Sequence, residues 1–151
     1  MGKETSSGTV RALGEDDLEW LLPLDAGSFA EAWEEATWRD ELAGRLGHYI
    51  ALEQDGVPVA FGGFWLVAGE AQVMRLAVDP ARRGEKLGLR LLEAMQEEAR
   101  RLEAFEMTLE VREGNTPARR TYDHVGFTEC GRREGYYGDN GEAAILMRCD
   151  L

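Results

Sequence analysis

The stretch Asp79–Met95, DPARRGEKLGLRLLEAM, sets Arg82, Arg83, Lys86, Gly84 and Gly88 in one short bend and then runs into an apolar helical repeat. Glycines let an anion approach the main chain because no Cβ intrudes, and arginine or lysine adds charge. A strand ending at Val78, this bend, and a helix beginning near Lys86 together present unpaired amides at the positive end of a helix dipole, which is a phosphate-binding arrangement. The alternative is a surface turn with solvated arginines. The bend lacks the P-loop pattern G-x-x-x-x-G-K-S/T, and GEKLG does not fit the dinucleotide pattern G-x-G-x-x-G.

Further chemistry is on offer downstream. Glu110 lies between Leu109 and Val111 in FEMTLEV; partial desolvation there would raise its pKa toward that of a useful general base, unless it simply faces outward from the strand. Tyr122 follows Asn115 by about two helical turns, so both point the same way and line one wall. A phenol with an unperturbed pKa near 10 stays protonated at neutral pH and is able to donate to a developing anion. The plainer roles are a core-edge tyrosine and a helix-capping asparagine, and capping is compatible with ligand binding. His48 and His124 are too isolated for a metal site, and Cys130 and Cys149 have no C-x-x-C spacing, so no metal is expected.

These groups need elements to position them. TVRAL reads as an edge strand, and EDDLEWLLPLDAGSF opens with acidic residues suited to a helix N-terminus. HYIALEQDGVPVAFGGFWLV is two apolar runs around an Asp55-Gly56 turn, a hairpin signal, and AQVMRLAV after Gly69-Glu70 adds a third strand to an antiparallel meander. Leu87, Leu91, Leu92, Met95, Ala99 and Leu102 recur at helical spacing and predict an amphipathic helix of about four turns that must pack on the sheet. FEMTLEV is a strand with Met107, Leu109 and Val111 on one parity. Asn115 as cap, Pro117 in the first turn and Gly126 as stop bound a short helix. TECGRR and EAAILMRC are two final strands around a Gly-rich loop that carries tyrosines. The order is βαα-βββ-α-β-α-ββ, an α+β or mixed α/β domain.

A chain of 151 residues is the size of one domain, and 44% hydrophobic content with 9% aromatic is globular. Residues 1–8 are expected to be a flexible tail and residues 9–151 a single domain. No apolar run reaches the roughly 20 residues of a membrane span, and the N-terminus has no signal-peptide pattern, so no membrane partner and a cytoplasmic location are expected. A net charge of −12 argues against a nucleic-acid partner and would attract a basic substrate. Trp20, Trp33, Trp38 and Trp65 are expected to pack rather than to stack on bases.

The bend resembles the coenzyme A pyrophosphate motif of the GCN5-related N-acetyltransferases (GNAT), Arg/Gln-x-x-Gly-x-Gly/Ala, with Arg83 first and Gly88 last. Lys86 stands where the family usually has its first glycine, which removes backbone freedom and brings an ammonium to the same phosphates. LEVREGNTPARRTYDHVGF is similar to LEVR-x-x-N-x-x-A-x-x-x-Y-x-x-x-GF of the RimI-type branch, enzymes that acetylate the N-terminal alanine of a ribosomal protein. Tyr136-Tyr137 followed by EAAILM fits the same branch. The similarity runs from about Val73 to the end and is thin over residues 1–50, where FAEAW corresponds to F-x-x-x-W. Arg75 replaces an asparagine often found in that strand.

The resemblance implies a central, mostly antiparallel sheet of six to seven strands flanked by about four helices, with acetyl-CoA as co-substrate. It assigns Arg83, Gly84, Glu85, Lys86, Leu87, Gly88 and Leu89 to the pyrophosphate, and the main chain of Leu76, Ala77 and Val78 to the pantetheine and the acetyl oxygen. Asn115 would hydrogen-bond the pantetheine, Glu110 would be the base and Tyr122 the acid. Trp33, Tyr136 and Tyr137 would flank an acceptor groove for the N-terminal α-amine of a basic protein. Two alternatives stay open: the same chemistry on a small-molecule amine or a lysine, and a non-catalytic acyl-CoA-binding domain. The chain is expected to be a monomer or a homodimer.

Overall fold

The structure, a computed structural model, describes residues 8–29 and 31–151. The tail expected over residues 1–8 therefore lies outside the described residues except for Gly8, which is buried with φ +86°, where a Cβ would collide with the Glu53 carbonyl. Strand β1 (Thr9–Ala12) is followed by a 3-10 turn (Glu15–Asp17) and helices α1 (Leu18–Ser28) and α2 (Glu35–Ala43). Strands β2 (Gly47–Gln54), β3 (Val57–Val67) and β4 (Glu70–Val78) form the meander. A second 3-10 turn (Pro80–Arg82) leads to α3 (Leu87–Arg101), then β5 (Glu106–Arg112), α4 (Thr116–His124), β6 (Thr128–Arg133) and β7 (Ala144–Asp150). This is the element order expected from the sequence, with TVRAL on the edge as expected.

All seven strands form one sheet, ordered β1-β2-β3-β4-β5-β7-β6, and every pairing is antiparallel except β4 with β5. That parallel pair holds only over Glu70–Gln72 against Glu106–Thr108. From Val73 onward the two strands diverge, whereas β4 stays paired to β3 up to Val78 and β5 to β7 up to Arg112. A bulge sits where they part: Gly63 pairs with Arg75 and Phe64 with Val73, leaving Met74 as the extra residue. Bulges bend and re-aim a strand. The sheet is thereby split at one end into two arms with a gap between them.

Two apolar layers hold the arms. On one face, Leu87, Leu91, Leu92, Met95 and Ala99 of α3 are buried against Ile50, Leu52, Phe64, Met107, Leu109 and Val111, with Ala118 and Tyr122 of α4 packed on the same cluster. Burial of each large side chain is worth about 1.5–3 kcal/mol. On the other face, Leu18, Leu21 and Trp38 cover Tyr49, Phe61 and Ala77. The consecutive Gly62 and Gly63 serve both layers: a Cβ on Gly62 would come within 2.9 Å of Met95 Sδ, and one on Gly63 would clash with the Tyr49 ring. Among the described residues no helix is long and apolar enough to cross a membrane.

Candidate active site

The gap between the arms opens into a cleft of about 1310 Å3. One end is built by the bend after β4. Asp79 accepts a hydrogen bond from the Ala81 amide at 3.0 Å and so starts the Pro80–Arg82 turn, and Arg82 is held by Gln54 Oε1 at 2.8 Å. Gly84 has φ +92° and Lys86 has φ +60°, ψ +27°, both in the left-handed region. Such a conformation costs a side-chain-bearing residue about 1–2 kcal/mol, which is why glycine suits the position that Lys86 occupies. The reversal aims the first turn of α3 into the cleft, and no side chain caps that turn. Its leading N–H groups lack intrahelical acceptors. Arg83 and Lys86 line the cleft beside them, and their side chains have no hydrogen bond or ion pair among the described residues.

α4 forms the facing wall. Asn115 caps it, its Oδ1 accepting from the Ala118 amide at 3.3 Å, and Pro117 sits in the first turn as expected. Asn115 and Tyr122 both line the cleft. The Tyr122 ring packs on Phe127 with centroids 5.9 Å apart, and burial pushes its phenol up to about 12, with the nearby Tyr137 adding to the shift.

Glu110 lies on β5 in the same cleft but is exposed, not desolvated as its apolar neighbours suggest. Leu109 and Val111 are buried, but alternation puts their side chains on the opposite face of the strand from Glu110. Its carboxylate instead accepts a hydrogen bond from the Tyr136 hydroxyl at 3.2 Å and lies 3.5 Å from Arg133 Nε. Facing Glu110 raises the Tyr136 phenol above the ordinary tyrosine value; burial, then Glu110, raises that of Tyr137. Arg112 anchors the loop carrying both tyrosines: it stacks on the Tyr137 ring at 4.0 Å and pairs with Asp139 at 2.9 Å and Glu142 at 3.3 Å. Glu142 also accepts the Gly114 amide at 2.6 Å.

Across the cleft from that loop, Arg75 is buried between the rings of Phe29 and Trp33, 4.2 Å from each. Its guanidinium lies 3.3 Å from the fully buried Asp25 and donates to the Glu31 carbonyl at 3.0 Å. Burial lowers the Arg75 pKa while Asp25 opposes the shift. Asp25 also accepts the Trp33 amide at 2.9 Å. Arg75 is thus the post that fixes the connection between α1 and α2 at the cleft edge.

Of the residues expected in the site, Leu76, Ala77, Val78, Arg83, Gly84, Lys86, Leu87, Gly88, Leu89, Glu110, Asn115 and Tyr122 all line this cleft, as do Tyr136 and Tyr137. Glu85 does not line it, and neither does Trp33, whose ring packs against Trp38, Tyr49 and Arg75. Phe29, the first residue of FAEAW, also lines it, as do Glu31, Arg120 and His124, to which no role in this site was assigned from the sequence. Among the described residues there is no cluster of three metal-ligating side chains. The cleft thus has an uncapped helix terminus with free cations at one end and a carboxylate among phenols at the other.

Residues 16–127 match the model of the acetyltransferase (GNAT) family. The chain is 33% identical to the N-alpha-acetyltransferase RimI of Mycobacterium tuberculosis, over 99% of this chain and 97% of that one. It is 32% identical to the ribosomal protein bS18-alanine N-acetyltransferase of Escherichia coli K12, over 92% and 95%. The crystal structure of the ribosomal-protein-S18-alanine N-acetyltransferase from Escherichia coli superposes with a TM-score of 0.87 at 31% identity, covering 95% of this chain and 94% of that one.

Proposed function

The chain belongs to the acetyltransferase (GNAT) family and is an acetyl-CoA-dependent N-acetyltransferase, and from that premise we propose how its cleft works and what it acetylates. The acceptor is the α-amine at a protein N-terminus, and specifically the N-terminal alanine of a ribosomal protein of the kind named for the relatives. The observation that carries this reading is the divergence of β4 from β5, which opens one cleft containing the phosphate-type bend, Glu110 and Tyr122.

The residues at the bend fit a diphosphate. An uncapped helix N-terminus offers amides to its oxygens, and Arg83 and Lys86 add charge that no carboxylate cancels. Beyond Gln72 the edge of β4 facing β5 is released from pairing, so Leu76, Ala77 and Val78 have main-chain groups to offer an extended amide-bearing arm. Acetyl-CoA supplies an electrophilic acyl carbon joined to a sulfur leaving group.

Glu110 takes a proton from the incoming α-ammonium, whose reference pKa of about 8 makes it far easier to deprotonate than a lysine. Its exposure gives that proton a route to solvent. Tyr122, held near 12, stays protonated throughout the working range and donates to the departing sulfur. Because burial holds the phenol well above the thiol reference near 8.5, a complete transfer of its proton to sulfur is uphill. Tyr122 therefore works by hydrogen-bonding the thiolate as charge builds on it, and full protonation follows as the amine sheds its second proton. Tyr136 positions the Glu110 carboxylate until the acceptor arrives. The acidic balance of the chain, −12, favours encounter with a basic protein tail.

The test is a reaction of the protein with acetyl-CoA and a peptide beginning with alanine and containing an internal lysine, read by fragment mass spectrometry. Acetylation at the α-amine is expected. Acetylation of the lysine, or of polyamines in place of the peptide, would reject this acceptor, and coenzyme binding with no turnover on any amine would favour a non-catalytic acyl-CoA-binding domain.

A further inference from the structure

On the wall opposite the bend, α4 carries a second cationic element that the diphosphate does not need. Arg120 and His124 are spaced i and i+4, so their side chains share one face of the helix, and both line the cleft. The chain has an excess of carboxylates, and many arginines, such as Arg39, Arg101, Arg132 and Arg148, sit against them, whereas Arg45, Arg90 and Arg100 are unpaired among the described residues but lie outside the cleft lining. The adjacent Arg119 is also engaged, with the Glu113 carbonyl at 2.9 Å and Glu129 at 3.4 Å. The Arg120 side chain has no hydrogen bond or ion pair among the described residues. An unopposed guanidinium kept at a cleft mouth in a protein of net charge −12 is arranged for an anion that comes from outside.

That anion differs from the diphosphate. The amides of α3 with Arg83 and Lys86 lie on the arm that ends in β4, and Arg120 lies on the arm that follows β5, with the opening between them. A ligand that pairs with the cations of both arms carries an anionic group for each. Coenzyme A does so: its diphosphate is followed by a ribose bearing a 3′-phosphate, on the side away from the pantetheine arm.

We infer that Arg120, supported by His124, forms a subsite for the 3′-phosphate of coenzyme A and makes this enzyme select the 3′-phosphorylated carrier over its dephospho form. The inference rests on the acetyl-CoA reading of the cleft. A guanidinium facing a phosphate forms short, charge-assisted, often bidentate hydrogen bonds, and loss of one such pair weakens binding by about tenfold.

The experiment compares acetyl-CoA with acetyl-dephospho-CoA by calorimetry and by KM, in the wild type and in R120Q, R119Q and H124Q. The wild type is expected to prefer acetyl-CoA by about tenfold. R120Q should bring the ratio of the two carriers close to one by weakening acetyl-CoA alone, R119Q should keep the wild-type ratio, and H124Q should reduce it partway. Melting curves check that each variant is folded. Equal affinity of the wild type for both carriers, or a preference that survives R120Q, overturns the subsite. Absence of binding to either carrier overturns instead the acetyl-CoA reading on which it rests.

Discussion

At the bend the cleft is made of main chain and unopposed charge, whereas at its other end three charged side chains already have partners within the protein. Arg83 and Lys86 touch no carboxylate, and the helix they precede is uncapped. Arg75, Glu110 and Arg112 are each bound: to Asp25 and two rings, to Tyr136 and Arg133, and to Asp139, Glu142 and Tyr137. The first end offers the unopposed positive charge that the proposed diphosphate site requires. The second end uses these charges to hold two loops in place, which leaves the Glu110 carboxylate and a pair of phenols lining the cleft for the proposed acceptor.

The comparison is most severely tested at the acceptor end. E110Q should lower kcat/KM by about 10²–10⁴, the usual contribution of a positioned base, with acetyl-CoA affinity unchanged by calorimetry; a variant as active as the wild type would remove Glu110 from the chemistry. D25A leaves the Arg75 charge buried without its partner and should cost about 3–5 kcal/mol of stability in denaturant titration. If D25A instead unfolds at the wild-type midpoint, the α1–α2 connection is not held by this pair.

Smaller effects are expected where the site is main chain. R83Q should weaken acetyl-CoA by about tenfold, because one charge-assisted contact is lost while the amides of α3 remain. A thousandfold loss would mean that side-chain charge and not the helix terminus does the binding. K86G relaxes a left-handed residue and should raise stability by about 0.5–1 kcal/mol while weakening acetyl-CoA a few-fold. Tighter coenzyme binding by K86G would show that loop geometry outweighs the ammonium.

The smallest expected effect is an absence. The Tyr122 phenol must keep its proton to donate, and its pKa near 12 preserves that proton well above the ordinary tyrosine value. The pH profile of kcat should therefore rise with deprotonation of the amine and show no falling limb centred near 10 that Y122F removes. Such a limb would mean that the phenol is solvated in the working enzyme.

The order of elements, the meander, the buried stripe of α3 and the phosphate bend were all legible in the chain, because each is set by contacts or periodicities a few residues apart. The same locality explains Asn115 as a cap. What could not be read was which face of β5 the sheet leaves open: alternation fixes that Glu110 opposes Leu109 and Val111, but only the absence of helix cover on that side makes it exposed. Trp33 packs, as expected of the tryptophans, and not at the acceptor groove that was its other option; what it packs on is Arg75, whose partner Asp25 is 50 residues away.

The sequence by itself determined the elements, the glycine- and arginine-bearing bend and the residue types available for acyl transfer, since glycine freedom, helix dipoles and side-chain chemistry are local properties. Tertiary structure alone decided where β4 and β5 part, which side chains of the cleft pair across 26 to 50 residues, and which cations remain free at the cleft. Those outcomes depend on strand register and on the packing of α1 and α3 on opposite faces of one sheet, and no short stretch of chain encodes them.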